Sequence, residues 1–364
     1  MASNTPGLSG SKRPKPGTER PWVTGSIETP AGPVPQVATT LRLADRAGSW
    51  MRRWGIGRMS YQVEPGLYAS GRPGPESPVL VTANYKMTFD QLRRELGGLD
   101  AWLLVLDTFG VNVWCAAGKG TFGTDEVVRR VEATGLARVV SQRTLILPQL
   151  GAPGVAAHQV RQATGFRVVY GPVRARDIPA FLVAGCRATP EMRRVTFTLS
   201  ERLAVVPMEL VGGLRVSLAA VLVLLVLAGL GRGGYSLERA WAAGIGAVGL
   251  YFLGYLAGTV VTPLLLPWLP GRAFALKGAS VGGVLALAYL LWEVKELGSR
   301  AGALGVGARL LLLPAVSSFF AMNFTGASPY TSPSGVRSEV RVAIPAQASA
   351  AAVGLILWII SHLL

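Results

Sequence analysis

The chain of 364 residues is 50% hydrophobic and carries 36 Lys and Arg against 20 Asp and Glu, a net charge of +16. That length suggests about two domains. Two cysteines and two histidines exclude a disulfide scaffold, an iron–sulfur cluster held by this chain alone and a multi-histidine metal site. The basic excess fits the cytoplasmic flank of a membrane protein touching anionic lipids. No recognition motif and no basic helix with interleaved aromatics points to nucleic acid as a partner.

Residues 1–55 read as a disordered tail. The first 35 are rich in Pro, Gly, Ser and Thr and contain no apolar h-region, so they do not form a signal peptide. The following segment is therefore expected to stay in the cytoplasm, with its thiols reduced. A compact pattern occupies 56–190. Residues 79–82 predict a short strand, 88–96 a helix, and 101–107 a strand buried on both faces. Residues 125–134 are amphipathic, with Thr124 as the expected N-cap and Gly135 as the stop. Further strands at 137–141, 144–147 and 166–170 alternate with helices at 155–163 and 177–183. That alternation predicts an open parallel α/β sheet. In such sheets ligands sit beyond the carboxyl ends of the strands, so the loops 107–124, 147–154 and 170–174 should converge on one ligand.

A basic linker, 191–213, leads to a transmembrane domain over 214–364. Its candidate spans are 214–231, 240–266, 274–292, 304–324 and 343–364, each near the roughly 20 residues a bilayer requires. Arg187, Arg193, Arg194, Arg202 and Arg215 cluster before or at the first span, which predicts a cytoplasmic N-terminal half in a multi-pass inner membrane protein. Five spans would place the C-terminus outside. Glu293, Lys295 and Glu296 fall at a helix end, and Lys277 is the sole ionisable candidate inside a span. It is expected to snorkel, so the domain reads as an anchor and not a transporter.

The segment from Gly110 to Gly120 sets Cys115 beside Trp114, an Ala116-Ala117 pair and a Gly118-Lys119-Gly120 exit. Three readings of Cys115 are open. It is an inert small hydrophobe; or a nucleophile, for which His158 is the sole histidine base before the spans; or one soft ligand to a metal whose other positions are filled by a non-protein group such as a macrocycle. Small residues around it would let a flat ring approach closely. Gly118-Lys119-Gly120-Thr121 lacks phosphate-loop spacing, because Val113 stands where the first glycine belongs.

Asn112-Val113-Trp114-Cys115-Ala116-Ala117-Gly118-Lys119 resembles the cap-helix motif of the membrane corrinoid protein family of microbial mercury methylation. Residues 61–182 are similar to the corrinoid-binding domain of that family and to the large subunit of the corrinoid iron–sulfur protein of the acetyl-CoA pathway. The segments 81–86, 143–154 and 169–173 carry the likeness. No four-cysteine motif precedes the domain, and spans follow it, which distinguishes the chain from the soluble relative. The resemblance implies a Rossmann-like corrinoid-binding α/β domain followed by an all-α transmembrane domain of about five helices. It implies a cobalamin-type corrinoid whose cobalt takes Cys115 as lower axial ligand, and methyl transfer to Hg(II). Implied partners are a ferredoxin-like protein with two [4Fe–4S] clusters and a methyltetrahydrofolate-dependent methyl donor protein.

The same resemblance implies roles around the ring. Asn112 and Trp114 would fix the cap helix, with Val113, Ala116, Ala117 and Gly118 beside the ring. Lys119 would offset charge or reach a corrin side chain, and Gly120 would stand among the cofactor-binding residues. Thr82, Asn84 and Thr121 would bond peripheral amides. Leu147, Gln149, Gly151, Ala152, Tyr170, Gly171 and Pro172 would wrap the ring edge or nucleotide tail. Cys186 is expected to lie at a helix end as a bystander. Alternatives are a membrane-anchored corrinoid methyl carrier of one-carbon metabolism and a non-catalytic membrane scaffold.

Overall fold

A computed structural model describes residues 20–292, 298–324 and 333–364. The first 19 residues of the expected tail, together with Glu293, Lys295 and Glu296, lie outside the described residues. The chain divides into two compact units, Met1–Val195 and Thr196–Leu364.

The first unit is built on a seven-stranded sheet ordered β1-β2-β3-β5-β4-β6-β7. Its elements in chain order are β1 (Val23–Thr29), β2 (Gly32–Val37), α1 (Leu43–Arg53), β3 (Gly66–Ser70), β4 (Val79–Ala83), α2 (Lys86–Arg94) and β5 (Ala101–Leu106). Then come α3 (Val113–Lys119), α4 (Thr124–Ala133), α5 (Leu136–Val139), β6 (Thr144–Leu147), α6 (Ala157–Thr164), β7 (Arg167–Tyr170) and α7 (Ile178–Val183). β5, β4, β6 and β7 run parallel, as the alternation predicts. The sheet as a whole is mixed, because β3 pairs antiparallel with β5 and an antiparallel β1–β2 hairpin extends that edge.

Strand periodicity explains the two cores. Val79, Val81, Ala83, Trp102, Leu104 and Leu106 face one side with α3, α4 and α6 residues such as Val113, Val127 and Val160. Leu80, Ala101, Leu103 and Val105 face the other with Phe89 and Leu92 of α2 and Phe181 of α7. Both faces are covered, so β5 reads as an unbroken apolar run with every residue buried.

Three expectations change. From residue 20 onward the segment assigned to a tail is ordered, as a hairpin and α1. Its anchor is Arg93 of α2, 0% exposed, which bonds Asp45 at 2.9 Å, Asp90 at 2.7 Å and the carbonyls of Ala38 and Thr40. Lys86 completes the network on Asp45 and Asp90. Those partners lie 41 to 48 positions from Asp45 and 53 to 55 from the two carbonyl residues, beyond any local reading. Residues 137–141, expected as a strand, begin instead inside α5. The left-handed Gly135 (φ 58°) starts a turn that buries Leu136 and Val139 at helical spacing. The N-cap of α4 is Gly123, while Thr124 Oγ1 accepts from the Ala156 amide at 2.9 Å.

The second unit is helical: α8 (Leu199–Leu203), α9 (Val206–Ala228), α10 (Leu237–Leu256), α11 (Thr262–Leu265), α12 (Phe274–Trp292), α13 (Arg300–Met322) and α14 (Pro333–Leu363), with a π-helical turn at Ala257–Val261. Among the described residues, five helical segments are long and apolar enough to cross a membrane. Gly258, Gly278 and Gly282 let α12 and the π-turn approach the backbone of α13, since an added Cβ would collide with Ser317 O or Leu313 O. Lys277 does not snorkel. It is 2% exposed and donates to Leu266 O at 2.8 Å and Leu269 O at 2.6 Å, carbonyls released where α11 ends.

Candidate functional site

The four parallel strands end at Ala83, Leu106, Leu147 and Tyr170, and the loops leaving them hold the residues singled out from sequence. After β4 the chain passes to α2 on one face of the sheet; after β5 it passes to α3 on the other. Divergence of adjacent connections opens a crevice at such a point. Asn84 fills it. Its Oδ1 accepts from Thr108 N (3.1 Å), Thr108 Oγ1 (2.9 Å) and Gly110 N (3.0 Å), and its Nδ2 donates to Asp107 at 3.1 Å. Asn84 is 1% exposed, so this amide shapes the loop from within and is not offered to a ligand. Thr82, 3% exposed inside β4, is likewise interior. The loop is held under strain at Phe109, a non-glycine residue at φ 54° that is 42% exposed.

Asn112 caps α3: its side chain accepts from the Cys115 amide at 2.9 Å. Helical spacing then sorts the motif. Val113, Ala116 and Ala117 are buried against the sheet, Cys115 is half-buried, and Trp114, Gly118, Lys119 and Gly120 are exposed. Trp114, 44% exposed, therefore does not pin the helix; the cap and the buried alanines do. Gly120 closes it in the left-handed conformation (φ 79°). Thr121 turns inward, its amide donating to Ala116 O at 2.9 Å.

A two-turn 3-10 segment, Gln149–Gly154, braces α3. A Cβ at Gly154 would strike Phe122 O and come within 3.1 Å of Ala117 Cα; one at Gly151 would meet the Phe122 ring at 2.5 Å. Gly171 N donates to Leu147 O at 2.7 Å, Gln149 N to Pro172 O at 3.5 Å, and Tyr170 Oη to Val155 O at 2.6 Å. The loops after β5, β6 and β7 are thus knit together. Leu147, Gly171 and Pro172 are buried within this weave, and Ala152 is half-buried on the brace. Burial pushes the Tyr170 hydroxyl pKa up, so it remains a donor. Gln149 Oε1 is buried with no hydrogen-bond partner, an acceptor held ready at this edge.

Sequence reasoning did not single out Thr108 or Glu126. Glu126, 6% exposed, accepts from the Asp107 amide at 2.7 Å and pairs with Arg129 and Arg130. Its signal was the spacing of a glutamate with two arginines three and four positions on. His158 is exposed on α6. Cys186 sits at φ 62° after α7 and packs on the opposite core face from α3, with burial pushing its thiol pKa up against a nearby Arg167. Among the described residues no group of three or more His, Cys, Asp or Glu could hold a metal ion unaided.

Residues 57–182 match the family of the CO dehydrogenase/acetyl-CoA synthase delta subunit. The acetyl-CoA decarbonylase/synthase complex subunit gamma of Archaeoglobus fulgidus is 36% identical over 127 residues, 34% of this chain and 27% of that protein. The namesake from Methanopyrus kandleri gives 36% over 127 residues with the same shares. That of Methanocaldococcus jannaschii gives 35% over 127 residues, 34% of this chain and 26% of its own. The chain spans about a quarter of the length of these relatives. The expected likeness to a protein of the acetyl-CoA pathway is found over the α/β segment, and the helical unit lies outside the matched residues.

Proposed function

We propose that the loops at the carboxyl edge of the sheet hold a cobalamin-type corrinoid, with the Cys115 thiolate as lower axial ligand to cobalt, and that the chain serves methyl transfer to Hg(II). The observation carrying this reading is a half-buried thiol on the first turn of a capped helix, braced from behind and open in front. The residues present fit such a group. Nothing lies within 4 Å of a Cβ added at Gly118 or Gly120, so a flat ring can approach the backbone there. Gln149 offers a buried, unpartnered acceptor suited to a corrin side-chain amide. A lone thiolate also suits a metal that brings its remaining ligands with it.

When bound, the corrinoid supplies a cobalt centre that carries a methyl group between donor and acceptor. The chain's own part is orientation. Asn112 holds the backbone of Cys115, and the buried Ala116 and Ala117 keep the helix against the sheet so that the sulfur cannot retreat. Lys119, exposed at the helix end, meets negative charge at the ligand's edge. Electrons would come from a ferredoxin-like protein with two [4Fe–4S] clusters, and the methyl group from a methyltetrahydrofolate-dependent donor protein. The helical unit would anchor the chain as a multi-pass inner membrane protein, with the α/β unit in the cytoplasm and lipid as its surroundings.

A second reading, a membrane-anchored methyl carrier of one-carbon metabolism, is favoured by the acetyl-CoA decarbonylase/synthase relatives. Reconstitution of the purified chain with corrinoid, followed by ultraviolet–visible spectroscopy, tests the shared premise. Wild type should show corrinoid bands that shift in Cys115→Ala; identical spectra would defeat axial ligation. Conversion of Hg(II) to methylmercury in cells carrying the ferredoxin partner then separates the two readings. Production lost in Cys115→Ala supports the first, and corrinoid loading without any methylmercury favours the second.

A further inference from the structure

Around α1 lies a group of side chains that this chemistry does not use. Arg52 stacks its guanidinium 4.4 Å over the Tyr61 ring, and Arg58 lies 5.6 Å over the Tyr85 ring. Tyr85, 3% exposed, occupies the N-cap position of α2, and its Oη is buried with no hydrogen-bond partner. Arg52 Nε and Trp54 Nε1 are buried and unpartnered too. Both of those are donors only. Among the described residues, the ion pairs include neither Arg52 nor Arg58. Asp45 and Asp90 are occupied by Lys86 and Arg93.

Electrostatics point the same way. Burial raises the Tyr85 hydroxyl pKa, and the positive charges of Arg58, Arg53 and Arg52 oppose that rise. Burial lowers the Arg53 pKa, with Arg58 adding like-charge repulsion. Massed donors and like charges cost free energy unless a ligand brings acceptors and negative charge. A tetrahedral oxyanion supplies both, and arginine is suited to bind it through two parallel bonds. The rim is apolar: Trp50 is 63% exposed, Ile56 60% and Met59 63%. Such a rim suits a ligand with hydrocarbon beside its charge.

We propose that Arg52, Arg58 and Tyr85 form an oxyanion site for a phosphate-bearing ligand, with an anionic phospholipid headgroup as the form that also uses the apolar rim. The site is independent of the corrinoid reading, since Cys115→Ala should leave it unchanged. The test uses the purified full chain in a non-ionic detergent, titrated with short-chain phosphatidylglycerol, short-chain phosphatidylcholine and inorganic phosphate by calorimetry. Saturable binding of phosphatidylglycerol is expected, weakened roughly tenfold or more in Arg52→Gln and Arg58→Gln.

Tyr85→Phe, which keeps the ring and its packing, should also weaken binding while raising the unliganded thermal midpoint, because an unpartnered buried hydroxyl is removed. Inorganic phosphate binding as tightly as phosphatidylglycerol, and lost in the same variants, supports the oxyanion site and assigns it to a free phosphate compound. Absence of saturable binding, or equal affinity in wild type and all three variants, overturns the proposal.

Discussion

In the α/β unit Phe89, Trp102, Phe122 and Phe166 are buried, whereas in the helical unit Trp241 is 68% exposed, Trp268 70% and Leu291 76%. Inside the helical unit lie Lys277, Thr259, Thr262, Ser317 and Ser318, all under 9% exposed. The helical unit thus leaves large apolar side chains outside while holding polar ones within, whereas the sheet packs its large aromatic rings inside. A water-soluble sheet gains about 25 cal/mol for each Å² of apolar surface removed from water. Helices in lipid gain nothing of that kind from one another, and they associate through close glycine contacts and internal hydrogen bonds. Hydrophobic content alone therefore does not identify a core; the surrounding solvent decides which side chains hold the fold together.

That contrast can be broken by substitution. Trp102→Ala should cost about 3–5 kcal/mol in the α/β unit, while Leu291→Ala should stay within about 0.5 kcal/mol. Thermal unfolding of the two variants checks this, and equal shifts would refute the inverted sorting. Removing the buried charge in Arg93→Met leaves two carboxylates to share Lys86 as their remaining cation, with a loss of about 3–5 kcal/mol that is read by denaturant midpoint. The matching change in the helical unit, Lys277→Met, leaves two carbonyls without their donor and should cost less, about 1–3 kcal/mol. A larger loss there would mean that Lys277 does more than tie backbone.

Smaller effects sharpen the site itself. Asn112→Ala removes the cap of α3 and should cost about 1 kcal/mol, with weaker corrinoid retention on gel filtration as the second readout. Acid supplies the last test. Burial resists ionisation of Asp45, but the hydrogen bond and charge of Lys86, with Arg93 behind them, hold its carboxyl pKa below the usual value. A lowered carboxyl pKa contributes stability above the ordinary Asp range and loses it as pH falls through the folded value. The unfolding midpoint of the α/β unit should therefore drop as pH falls below about 4, and the drop should shrink in Arg93→Met.

Much of the candidate site was legible in the sequence because its signals are local. The buried strand before Cys115, the asparagine cap and the left-handed glycine exit all lie within a few positions of the thiol. The parallel strands were equally plain. The antiparallel edge was not, since Gly66–Ser70 offers only a short run with two small residues at its ends. The stretch 23–37 failed for a related reason: glycine, proline and threonine, read as disorder, form a hairpin whose β2 strand pairs with β3. Asn84 was singled out as a ligand contact, while the loop bonds it makes went unread. Its four bonds reach residues 23 to 26 positions away, and no periodicity announces them.

The sequence by itself determined a cysteine on a short helix of small residues, a buried parallel strand directly before it, and helices apolar enough for a bilayer. Each follows from residue type and spacing over one or two turns. Tertiary structure alone decided that the segment after residue 19 belongs to the sheet, that Asn84 closes the crevice, that Gln149 keeps a buried oxygen free, and that Lys277 turns inward to carbonyls. Those outcomes depend on polar groups finding partners far along the chain, and burial makes a missing partner costly enough to dictate the choice.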